Sequence, residues 1–217
     1  MMNRKTKIEI NVVPLIIILL LTSLIVIGSS FSLFFKFGKI LDGQSEETLS
    51  LLTTHNINSE IFKLIERGQE KQVYDFYDKI IGNKKITYLI VTNALVNGIP
   101  VNLFMSLAYT ESRYCETAIG KNLNSAGEIS SYDYGLFQLN SNTFKEYTRE
   151  YLLDPENNAR LAAQHLLELY KRYGTWYEAT LGYNAGNTLL IKNKTVKHFV
   201  SVLSFQEELD TKFVLEL

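Results

Sequence analysis

Residues 10–35, INVVPLIIILLLTSLIVIGSSFSLFF, contain no charged side chain. A helix needs roughly 20 apolar residues to cross a bilayer, and a run longer than that is a poor candidate for an ordinary buried core helix. The run therefore divides the chain. Residues 10–35 read as a transmembrane anchor, residues 1–9 as a cytoplasmic amino terminus, and all that follows as extracytoplasmic. Arg4, Lys5 and Lys7 precede the run and set that orientation; Lys36 and Lys39 weaken the asymmetry, but Asp42, Glu46 and Glu47 follow quickly. A cleaved signal peptide competes with the anchor, with Gly28 and Ser30 as small residues near a cut. The apolar run continues beyond that point through Phe31, Leu33, Phe34 and Phe35, which favours the anchor. No cysteine lies nearby to carry a lipid.

Charge narrows the partners of the remainder. The 217-residue chain has a formal net charge of −1, and residues 40–217 alone hold 17 basic and 22 acidic residues, a net of −5. That leaves no basic footprint for nucleic acid. Cys115 is the only cysteine, so no intramolecular disulfide can form and the core must hold the fold. With histidines only at 55, 165 and 198, none is near Cys115 in sequence. A small semi-buried filler is the better reading than a catalytic thiol.

Residues 36–85 are polar with apolar positions three and four apart, and read as a stalk of one or two helices between membrane and domain. Glu66 and Glu70 belong to its solvated face. Ile86–Asn97 is a further helical run, ended by Gly98, and Pro100 suits the first turn of the next. There Leu103, Phe104, Leu107 and Ala108 form one apolar face and deliver Glu111 at or near the helix's C-terminal end. A carboxylate at that position faces the negative end of the macrodipole and an apolar wall, and both disfavour ionisation. That is the property a general acid needs. The plain alternative is a frayed, solvated helix end.

Residues 121–131 are rich in Asn, Ser and Gly and read as a loop. Asn142–Tyr151 continues helically. Asp154 and Pro155 are an N-cap and first-turn pair, and the helix they open has an alanine-rich packing face and stops at Gly174. His165 on it is a surface or satisfied core histidine. Trp176–Asn184 forms one more helix, in which Trp176 fills the core in preference to stacking on sugar.

Three pieces then stand in order: Glu111-Ser112, Tyr134-Gly135-Leu136-Phe137-Gln138-Leu139-Asn140-Ser141, and Gly182-Tyr183-Asn184-Ala185-Gly186. Together they resemble the soluble lytic transglycosylase (SLT) domain, over roughly residues 86–203, and most of all the small members that accompany secretion systems and pili. The resemblance implies a mainly α, lysozyme-like helical domain over 86–217, preceded by the single transmembrane helix and the stalk. It implies peptidoglycan strands as substrate, Glu111 as acid and then base, and no metal or organic cofactor. Ser112 would orient Glu111 or the substrate's N-acetyl group. Gly135 would let the backbone approach the sugar, and Gln138 would donate and accept at once. Tyr183 and Asn184 would close the cleft. For each of these, helix packing is the alternative. The protein would be a single-pass protein of the inner membrane with a periplasmic catalytic domain, working with a secretion, pilus or other wall-spanning assembly.

Two departures bear on mechanism. Tyr132-Asp133-Tyr134-Gly135 also resembles animal lysozymes, which would make Asp133 a second carboxylate and the enzyme a hydrolase; this ranks below transglycosylation because Tyr-Asn-Ala-Gly belongs to the transglycosylase side. In addition, where many relatives carry a tyrosine in a late helix lining the cleft, residues 195–200 offer His198 or Phe199. A non-catalytic wall-binding scaffold is the third reading.

Overall fold

In the computed structural model, which describes residues 54–185 and 193–216, α1 (Thr54–Glu66) and α2 (Glu70–Ile81) come first. Their apolar positions are not the dry seam of a free stalk. Ile57, Ile61, Val73, Phe76 and Tyr77 are buried in the same core as Phe104 and Leu107. The described residues form one compact unit. Residues 54–81, expected as part of a stalk over 36–85, are therefore packed into the helical core. The physical reason is area: an apolar stripe of this size gains about 25 cal/mol per Å² by leaving water, and the domain offers it a face. The anchor at 10–35, the amino terminus at 1–9 and residues 36–53 lie outside the described residues. Among the described residues no helix is long and apolar enough to cross a membrane.

Asn83 opens α3 (Lys84–Val96), its side chain accepting from the amides of Lys85 and Ile86. α4 (Val101–Ser112) follows Pro100, and every residue from Val101 to Ala108 is buried. Only its last turn, Tyr109 to Ser112, emerges. A helix buried all round for two turns has its end placed by packing on every side. That is what fixes Glu111 in space.

The stretch read as a loop is a small sheet. β1 (Ile119–Leu123), β2 (Ile129–Tyr134) and β3 (Leu139–Asn140) are antiparallel neighbours in that order, with Ile119 opposite Tyr134 and Asp133 opposite both Gly120 and Asn140. β1 buries no residue, so it carries no apolar alternation for a sequence reading to find. The turn is made by Asn124, whose Oδ1 accepts from the amides of Ala126 and Glu128, and by Gly127 at φ 80°.

The helix expected over 142–151 is also shorter than the pattern suggests. Residues 141–146 form turns, and a fresh cap at Thr148 starts α5 (Arg149–Leu153). α6 (Pro155–Tyr173) matches its signals: Asp154 Oδ1 accepts from Asn157 N at 2.9 Å, and Gly174 caps the far end at φ 90°. Its buried Ala159, Ala162 and Ala163 allow α3 and α7 (Trp176–Ala185) to pack closely. α8 (Asn193–Glu216) runs along α4 and α7, burying Phe199, Val202, Leu209 and Phe213.

Candidate active site

Glu111 is the penultimate residue of α4, and its side chain is only 13% exposed. Beside it stands His198 of α8, equally shielded at 13%, with Nε2 at 2.9 Å from Oε1 of Glu111. The ring's N–H direction is not aligned on that oxygen, and neither ring nitrogen has a hydrogen-bond partner among the described residues. Sequence reasoning met His198 only as a replacement for a tyrosine. A sharper signal was available, because Thr195, Phe199 and Val202 form a buried helical stripe and His198 lies beside it.

Ser112 bonds to the backbone on both sides of it. Its Oγ donates to the Leu136 carbonyl at 2.7 Å and lies 3.3 Å from the Ala108 carbonyl. The hydroxyl thus ties the end of α4 to the turn between β2 and β3. Tyr183, on α7, ties itself to the same turn by donating from its hydroxyl to the Phe137 carbonyl at 3.0 Å. Burial foremost, then the charges of Glu111 and of Asp133, push the Tyr183 phenol well above the ordinary tyrosine range. One phenol therefore senses both carboxylates. Asn184 follows it in the last turn of α7, partly exposed.

The turn itself is built around a residue that sequence reasoning missed. Asn158 of α6 is fully buried; its Nδ2 donates to the carbonyls of Tyr134 and Leu152, each at 2.7 Å, and its Oδ1 accepts from Phe137 N at 2.9 Å. Gly135, at φ 72°, passes so close that a Cβ there would sit 2.6 Å from Asn158 Nδ2. The close approach that the structure shows at Gly135 is toward Asn158. No sequence signal marks Asn158, since an Asn in the first turn of a helix is commonly a solvated polar residue.

Gln138 is likewise turned inward on one side. It sits at φ 47°, and its Nε2 donates to the carbonyls of Gly135 at 2.9 Å and Ala118 at 3.2 Å. The donors expected for substrate are used to close the turn. The Oε1 atom faces Gly120, where a Cβ would meet it at 2.9 Å and Asp133 Cβ at 3.3 Å. Asp133 accepts from Asn140 Nδ2 on Oδ1 at 2.7 Å and from Asn122 Nδ2 on Oδ2 at 2.8 Å. Both amides also reach Ser131 Oγ, so the four side chains bind the three strands together.

The remaining candidates stand apart from this chemistry. Cys115 is exposed, 3.6 Å from Thr117 Oγ1, and not the semi-buried filler expected, because the chain leaves α4 through left-handed Arg113 and Tyr114 and turns its next residue outward. His165 lies against the rings of Phe144 and Tyr183, and burial lowers its pKa. Trp176 stacks on Tyr170 at 4.1 Å.

The domain is mainly helical, with a shielded glutamate at the end of its buried helix and a small antiparallel sheet. The family model for the transglycosylase SLT domain matches residues 89–200, and the chain belongs to that family. It is similar to X polypeptide of Escherichia coli (strain K12), 35% identical over 91 residues, 39% of this chain and 51% of that protein. It is also similar to Protein IpgF of Shigella flexneri, 34% identical over 46% of this chain and 66% of that protein. A third relative is the Peptidoglycan-binding-like protein of Escherichia coli O157:H7, 29% identical over 45% of this chain and 63% of that protein. The chain thus spans about half the length of the first of these and less than two thirds of the others. No solved structure matches it.

Proposed function

We propose that the chain is a lytic transglycosylase that cuts the β-1,4 bond between N-acetylmuramic acid and N-acetylglucosamine in peptidoglycan. Membership of the SLT family supports the reaction class. The observation that carries the assignment to Glu111 is its setting: a carboxyl shielded to 13% exposure at the end of a buried helix, sensed with Asp133 by one phenol.

The reaction needs one titratable group used twice. Glu111 gives its proton to the bridging oxygen, and the bond from that oxygen to C1 of the muramic acid breaks. The oxygen of the same sugar's 6-hydroxyl then bonds to C1, and its proton passes to Glu111. The carboxyl is restored, a 1,6-anhydro ring is left, and no water is consumed. Asn184 and the Oε1 side of Gln138 would hold the reacting sugar, while Ser112 and Gly135 shape the turn that faces it.

Hydrolysis with Asp133 as nucleophile or stabiliser is the second reading. The two amides on its oxygens favour an orienting and sheet-binding role over attack. Mass spectrometry of products released from purified peptidoglycan separates the two, because anhydro products are lighter than hydrolytic ones by one water. Absence of any clearing on a peptidoglycan gel would favour a non-catalytic scaffold. The uncharged run at 10–35 supports a tether to the inner membrane, with cutting confined to the wall near it and serving a wall-spanning assembly; fractionation of membranes tests that part.

A further inference from the structure

Glu111 Oε1 and His198 Nε2 lie 2.9 Å apart, at ion-pair distance, with both side chains only 13% exposed. The contact joins two helices packed along each other, α4 and α8. Thr195, Phe199 and Val202 bury the neighbouring stripe of α8, so the imidazole is aimed by the core and not by a loop. Tyr183 on α7 senses Glu111, Lys197 on α8 is exposed, and on α1 Glu60 and Lys63 pair with each other at 2.7 Å.

We infer that His198 is the positioning residue of Glu111: its Nε2 engages Oε1, fixes the carboxyl's rotamer, and leaves Oε2 to face the bridging oxygen of the glycan. This rests on Glu111 being the acid and base of the reaction. No atom of His198 bonds to sugar. One proton leaves Glu111 for the leaving oxygen and one returns from the 6-hydroxyl, and His198 keeps the carboxylate aligned between the two events. An imidazole carrying a proton on Nε2 suits this task because it can donate to Oε1 whether or not Oε2 holds the transferable proton. A tyrosine hydroxyl can do the same, whereas a phenylalanine ring cannot.

The test uses the full chain with soluble peptidoglycan fragments. His198→Phe lowers kcat by about 10- to 100-fold with KM within about threefold, because a misaligned acid loses rate without losing binding. His198→Gln and His198→Tyr, which keep a polar atom near Oε1, recover part of that loss. Equal kcat in wild type and His198→Phe, or a loss confined to KM, overturns the inference, as does His198→Gln being no better than His198→Phe. A second readout needs no activity. With three histidines in the chain, the His198 ring-nitrogen NMR signals are assigned by their absence in His198→Gln. They move on Glu111→Gln if the pair exists in solution, and unmoved signals overturn the pairing. If those signals move while the wild type releases no anhydro product, the pairing stands and the transglycosylase reading fails.

Discussion

Ser112 Oγ donates to the Leu136 carbonyl at 2.7 Å, so the residue after Glu111 joins the end of α4 to the turn between β2 and β3. Leu136 is fully buried, and its carbonyl has little access to water as a substitute. Ser112→Ala therefore costs about 1–2 kcal/mol of stability, read by urea denaturation. It also lowers activity, since the end of α4 is then free to shift against the turn. Full activity in a destabilised Ser112→Ala protein would separate the tie from the chemistry.

Glu111→Gln keeps the shape of the side chain and removes the transferable proton. It abolishes release of anhydro products while leaving the melting temperature within a few degrees of wild type. Asp133→Asn retains much of the activity, because a neutral side chain can still accept from one of the two amides that Asp133 engages, although the sheet loosens by about 1 kcal/mol. A nucleophilic Asp133 would instead make both variants inactive. Side-by-side product analysis of the two decides the matter.

Gly135→Ala meets two penalties at one position. The backbone sits at φ 72°, and the new Cβ would stand 2.6 Å from Asn158 Nδ2 and 3.1 Å from the Leu152 carbonyl. Asn158 cannot retreat without releasing two carbonyls and the Phe137 amide. The expected loss is roughly 2–4 kcal/mol, measured by denaturant unfolding. Gly127→Ala, where nothing lies within 4 Å, meets only the backbone strain and costs less.

His165 makes stability depend on pH. Burial lowers its folded pKa from 6.5, so the unfolded chain takes up a proton that the folded chain resists. Its contribution is complete above pH 6.5 and is lost as the pH falls below that value, until the folded imidazole is protonated too. The slope from this one group is at most about 1.4 kcal/mol per pH unit. Denaturant titrations at pH 7.5 and pH 5 register the fall, and His165→Phe, packed against Phe144 and Tyr183, flattens it.

Much of the domain is legible wherever a local rule outweighs its surroundings. Asp154 and Pro155 start α6 and Gly174 ends it, because a cap needs only its own helix. The buried face of α4 follows from apolar spacing, and it carries Glu111 to the helix end. The hairpin is not legible, since Ile119–Leu123 buries no residue and is held by a backbone ladder and by Asn122 and Asn140. Helical pattern continued past Asn140 where turns form, because a cap at Thr148 restarts the chain seven residues before Pro155.

The amino-acid sequence alone determined the family, through three short motifs whose order carries it. It also determined where a lone carboxyl should end a buried helix, because apolar periodicity and capping are properties of neighbouring residues. Only the tertiary structure decided what surrounds that carboxyl. His198 is 87 positions from Glu111 in the chain and 2.9 Å from it in space, and Asn158 reaches back across α6 to hold the turn after β2. Such contacts arise from how helices pack along one another, which depends on the sum of buried surfaces over the whole domain and on no short stretch of residues.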